Sequence, residues 1–166
     1  DEILKAGAEV LPLRSNIEVI SKYTFQPVDP DFYEKAMKKK EADGGHVVVA
    51  GENYAQGSSR EHAAIAPRYL GQKAVIAKSY ARIGFQNMVN YGIIPFVFEN
   101  PEDYDEINEN HQLEFKNNKD AVEKEKTVVV FNKSTDKEIK LICRLSSQQK
   151  QIVLAGGLIN YLKHKK

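Results

Sequence analysis

Val47-Val48-Val49-Ala50, bounded by Gly44-Gly45 before it and Gly51 after it, is a short β-branched run of the kind that fills a buried strand. Two similar runs follow, Ala74-Val75-Ile76-Ala77 and Ile93-Ile94-Pro95-Phe96-Val97-Phe98. Between the first pair, Arg60-Glu61-His62-Ala63-Ala64-Ile65-Ala66-Pro67-Arg68-Tyr69-Leu70 reads as a helix stopped by Gly71. Between the second pair, Ser79 stands where an N-cap would start a helix over residues 80–91, which Gly92 closes. Strand and helix alternating at this spacing predict an α/β fold with a parallel central sheet and flanking helices.

After Phe98 the texture changes. Asn100-Pro101 predicts a short acidic helix over 102–107, with proline at its first position. Leu113-Glu114-Phe115, Thr127-Val128-Val129-Val130-Phe131 and Glu138-Ile139-Lys140-Leu141-Ile142 read as short antiparallel strands, a small β annex joined by Asn/Lys/Asp turns. Helical spacing returns over 148–162, broken at Gly156-Gly157, and 30–40 is a charged surface helix. No repeat or linker divides the chain, so residues 1–166 are read as one domain.

Its 166 residues suffice to bury roughly 70% of the unfolded surface without disulfide or metal. The composition, 42% hydrophobic and 28% charged, is that of a soluble globular protein, and no apolar run approaches the roughly 20 residues of a membrane span. A soluble, cytoplasmic protein is expected. Lys plus Arg (24) nearly cancels Asp plus Glu (23), which argues against a nucleic-acid partner. The single cysteine, Cys143, lies in a predicted strand and reads as a small buried thiol. Only five of the basic residues are Arg: Arg14, Arg60, Arg68, Arg82 and Arg144. The planar guanidinium suits carboxylate or phosphate, so the place of each matters, whereas Lys38-Lys39-Lys40 reads as a solvated helix end.

The loop between the first strand and its helix is Gly51-Glu52-Asn53-Tyr54-Ala55-Gln56-Gly57-Ser58-Ser59-Arg60-Glu61-His62. A strand's carboxyl end feeding a helix's amino end is where α/β sheets place ligands, because unpaired backbone N–H groups point out of the first turn. Ser58 and Glu61 have capping-box spacing. Two hydroxyls followed by Arg60 offer a small anion donors, a helix dipole and a guanidinium together. One serine could act as a base only if strong positive potential stabilised its alkoxide. His62 reads as a helix-packing residue or one bonded to Asn or Glu, not as part of a triad.

Gly51 to Tyr54, Gly57 to Ala64, Ala66 to Gly71, Lys78 to Ile83 and Gly92 to Pro95 together resemble the carboxy-terminal swivel domain of aconitase, as do Ala6-Gly7-Ala8 and Leu11-Pro12-Leu13-Arg14-Ser15-Asn16-Ile17 upstream. The resemblance runs in register to about residue 107. It implies a hydro-lyase that interconverts citrate and isocitrate through cis-aconitate at a [4Fe-4S] cluster, with this domain closing over cluster-bearing domains. It further implies Ser58 as the base, Ser59 and Arg60 as substrate-binding residues and Arg14 as the clamp on the distal carboxylate. Asp1 falls at a family active-site acid. Arg68, Arg82 and Arg144 read as structural. Two positions depart from the pattern: Ala55 where the family has Gly, and Gly84-Phe85 where His is usual after Ile83.

Three cysteines hold an aconitase cluster and this chain has one, so the resemblance implies a cluster bound outside it. The expectation is a C-terminal fragment of a longer enzyme, inactive alone. The competing readings are a small subunit of an isopropylmalate isomerase or homoaconitase, and a non-catalytic ligand- or RNA-binding module. Arg14 favours citrate over a substrate with an apolar branch.

Overall fold

The structure is a computed structural model that describes residues 2–57, 60–115, 122–123 and 127–164. Six strands form one mixed sheet: β1 (His46–Ala50), β2 (Gln72–Ala77), β3 (Ile94–Phe98), β4 (Leu113–Phe115), β5 (Thr127–Asn132) and β6 (Lys137–Cys143), in the spatial order β1-β2-β3-β6-β5-β4. β1, β2 and β3 pair in parallel, with Val48 opposite Val75 and Ile76 opposite Phe96, as the alternating pattern predicts. β6 then pairs antiparallel with β3, and β5 and β4 continue outward. The predicted β annex is therefore no separate layer but the other half of the same sheet.

Burial explains this order. In β2 every residue except Lys73 is buried: Ala74 and Ile76 enter one apolar cluster, Val75 and Ala77 the other. A strand hydrophobic on both faces belongs at the centre of a covered sheet. β1 was expected to be buried, yet it is half-exposed throughout, because it forms the edge. β5 alternates buried with half-buried residues, the signature of a strand with one covered face.

The described helices are α1 (Ile17–Ser21), α2 (Phe32–Asp43), α3 (His62–Tyr69), α4 (Arg82–Asn90), α5 (Ser147–Leu154) and α6 (Leu158–Lys163). Leu11–Ser15 and Pro101–Glu106 are 3₁₀ turns, the second standing where the acidic helix was expected. α5 opens with a complete capping box between Ser146 and Gln149. The α5–α6 corner packs so closely on the end of α4 that a Cβ at Gly92 would lie 2.5 Å from the Gly156 carbonyl carbon. No described helix is long and apolar enough to cross a membrane.

Lys40 is not a solvated end like its neighbours. It turns inward, donates to the Tyr69 carbonyl at 2.6 Å and lies 4.6 Å over the Tyr69 ring, placing its charge at the carboxyl end of α3. Arg68, at the same end, donates to the Gln72 carbonyl, a structural role as read from the sequence.

Candidate functional site

β1 delivers the chain to the loop at its carboxyl end, and α3 receives it. Sheet-like bonds hold the loop base to the segment leaving β2: Tyr54 N donates to the Ser79 carbonyl (2.9 Å), Ala81 N to the Tyr54 carbonyl (3.0 Å) and Lys78 N to the Gly51 carbonyl (3.0 Å). Ser79 does not cap a helix. Its Oγ accepts from Asn53 N at 2.7 Å, and α4 begins only at Arg82, with Ala81 at its cap position. The hydroxyl is used across the loop, and the later start of the helix leaves Ser79 outside its cap position.

α3 starts at His62, two residues later than the sequence suggests, with Glu61 as its flanking residue. Ser58, Ser59 and Asp1 lie outside the described residues. The Glu61 carboxylate is engaged by the Tyr91 hydroxyl, which donates to Oε2 at 3.0 Å. Burial, then the adjacent carboxylate, raises the Tyr91 phenol above its ordinary pKa.

Arg14 arrives from the opposite direction, on the 3₁₀ turn before α1. α1 is capped by Asn16, whose side chain accepts from Val19 N, and it packs on α3 through Ile20 and Ala66. Ser21, fully buried, donates to the Ile17 carbonyl and, at 3.4 Å, to that of Ala66. His62 completes the junction: Nε2 lies 2.9 Å from the Arg14 carbonyl, which can only accept, so this nitrogen carries the proton. This partner is neither of those expected for His62. It joins residues 48 apart in the chain, and nothing local in the sequence signals it.

The result is a cleft of about 370 Å³ lined by Leu11, Arg14, Ile20, Arg60, Glu61 and His62. Two of the five Arg, expected together at the site, share it, and Arg60 sits at the amino end of α3, where helix-terminal N–H groups add positive potential. Such a cleft can hold an anion bearing more than one carboxylate. A larger hollow of about 550 Å³ lies at the start of α5 and includes Arg144 and Lys150, but none of the sequence-expected site residues line it.

The described residues do not fit a cluster. Among the described residues no group of three or more His, Cys, Asp or Glu could hold a metal ion. Cys143 is buried in β6, where burial pushes its thiol up and away from the thiolate that a cluster requires.

Fold and cleft define an α/β domain with two arginines on one cleft at a strand-to-helix junction. Residues 11–101 match the family described as the aconitase C-terminal domain, and the chain belongs to that family. It is 42% identical over 123 residues to a probable mitochondrial aconitate hydratase of Dictyostelium discoideum, 72% of this chain but 16% of that protein. It is 37% identical over 149 residues to a 3-isopropylmalate dehydratase small subunit of Aliarcobacter butzleri, 90% of this chain and 79% of that one. The crystal structure of a 3-isopropylmalate dehydratase from Methanocaldococcus jannaschii superposes with a TM-score of 0.76 at 33% identity, covering 99% of this chain and 86% of the other.

Proposed function

We propose that this chain is the swivel domain of an aconitase-family hydro-lyase in the small-subunit arrangement, working with a separate partner that bears the [4Fe-4S] cluster. The arrangement is supported by the reach of the small-subunit match, which extends into the last third of the chain. The substrate is a 2-hydroxy acid with two or more carboxylates, dehydrated and rehydrated at the adjacent carbon. The observation that carries the reading is the placement of Arg14 and Arg60 on one cleft at the amino end of α3.

Within this reading Ser58 is the base. As an alkoxide, held by the Arg60 guanidinium and the amide dipoles of α3, it takes the carbon-bound proton. The electron pair of that C–H bond becomes the new double bond, and the substrate hydroxyl departs on the partner's side. Ser59 and Arg60 bind a carboxylate, while Arg14 meets the group at the far end of the substrate.

That far group separates two substrate classes. The small-subunit match favours isopropylmalate, whose branch is apolar. Arg14 in the cleft favours citrate, whose branch is a carboxylate, and with it the swivel domain of an aconitate hydratase. Combining the chain with a cluster-bearing partner and following the absorbance of the unsaturated product with each substrate decides between them. Absence of turnover with both, in a mixture shown to assemble, refutes the enzyme reading and leaves a binding module.

A further inference from the structure

We infer that Gly84, in the first turn of α4, is a positioning residue that sets the path of the loop leading to Ser58; its catalytic meaning rests on the functional reading above.

The loop contains a non-glycine residue in left-handed conformation, Ala55 at φ +65°. A residue with a Cβ avoids this region unless its surroundings impose it. Here the surroundings are visible on both sides. The peptide before Ala55 is bonded to 79–81 through Tyr54, and Asn53 N is held by Ser79 Oγ. Tyr80, which bridges Tyr54, is itself fixed to the sheet, its hydroxyl lying 2.8 Å from the Val75 carbonyl and 2.7 Å from that of Phe96.

On the other side stands α4. A Cβ built on Gly84 would lie 2.3 Å from the Ala55 Cβ and 3.2 Å from its carbonyl oxygen. The Ala55 methyl thus occupies the space where a side chain at 84 would begin. Gly84 has ordinary helical backbone, where alanine is intrinsically preferred, so its lack of a side chain serves the contact and not the helix. Gly57 follows two residues after Ala55, and the proposed base, Ser58, comes directly after it in the chain.

The test moves one methyl across the contact. Gly84→Ala is expected to raise hydrogen exchange at the 51–57 amides about tenfold in the isolated chain, leaving β2 and β3 protected, and to lower kcat about tenfold in the assembled enzyme with KM within about twofold. Ala55→Gly, which introduces no clash and keeps the chain foldable, is expected to raise exchange in the same segment severalfold. The double variant Ala55→Gly/Gly84→Ala should return exchange and kcat to near wild type. Failure of the double variant to recover, or unchanged loop exchange in both single variants, overturns the proposal. Loop exchange that follows this pattern beside a wild-type assembly without turnover upholds the positioning role and refutes the functional reading instead.

Discussion

The His62 imidazole donates from Nε2 to the main-chain carbonyl of Arg14 at 2.9 Å, tying the first turn of α3 to the 3₁₀ turn before α1. Arg14 supplies the accepting carbonyl of this bond, and Arg60 precedes His62 by two residues. His62→Ala is expected to cost about 1 kcal/mol of stability, the usual worth of one such bond. In the assembled enzyme it should raise KM for the preferred substrate about tenfold and leave kcat nearly unchanged. Steady-state kinetics with a denaturation curve measure both, and a wild-type KM would show that α1–α3 packing alone places Arg14.

On the proposed reading Arg14 carries the choice of substrate. Arg14→Ala should weaken citrate turnover at least a hundredfold while lowering that of isopropylmalate severalfold or less, since only the former leaves a carboxylate unpaired. Equal losses on the two substrates would place Arg14 on a group common to both.

Ser58→Ala should remove turnover by three orders of magnitude or more with little change in substrate affinity, because a hydroxyl that acts as base contributes to the transition state and not to binding. Retained turnover strips Ser58 of that role.

His46 makes the fold sensitive to acid. Burial at the head of β1 lowers its pKa from 6.5 to about 4, so the neutral ring is favoured in the folded state. Between these values the unfolded chain binds more protons. His46 therefore imposes no acid penalty above about pH 6.5, and stability falls as pH drops toward 4, by up to roughly 3 kcal/mol. His46→Leu should flatten denaturation midpoints between pH 4 and 6.5; an unchanged slope would trace the acid sensitivity elsewhere.

Cys143 is 3% exposed and packs in the main core cluster. Cys143→Ala should cost about 1 kcal/mol through the small cavity it leaves. Iron content and cluster absorbance of the assembled enzyme should not change, and loss of iron would make Cys143 a ligand.

Within short windows the sequence is informative, because strand and helix periodicity are local properties. The β-branched runs at 47–50, 74–77 and 127–131 lie in strands, and Gly71 and Gly92 follow the ends of α3 and α4. Ser79 shows the limit. A serine directly before a run of helical spacing over 80–91 reads as a cap, but its hydroxyl has a competing partner in Asn53 N, which no window includes. Lys40 and β1 fail for the same reason: whether a side chain meets water or Tyr69, and whether a strand is central or at an edge, depends on what packs beside it.

Alternation, turn chemistry and the motif around Arg60 determined the elements, the parallel half of the sheet and the family, since each follows from residues close together in the chain. Only the tertiary structure decided that Arg14 and Arg60 line one cleft, that His62 bonds the Arg14 carbonyl, that Ala55 abuts Gly84, and that the antiparallel strands extend the same sheet. Those are juxtapositions of distant segments, set by how apolar faces such as those of Ile20 and Ala66 bury one another, and burial of that kind has no period to read.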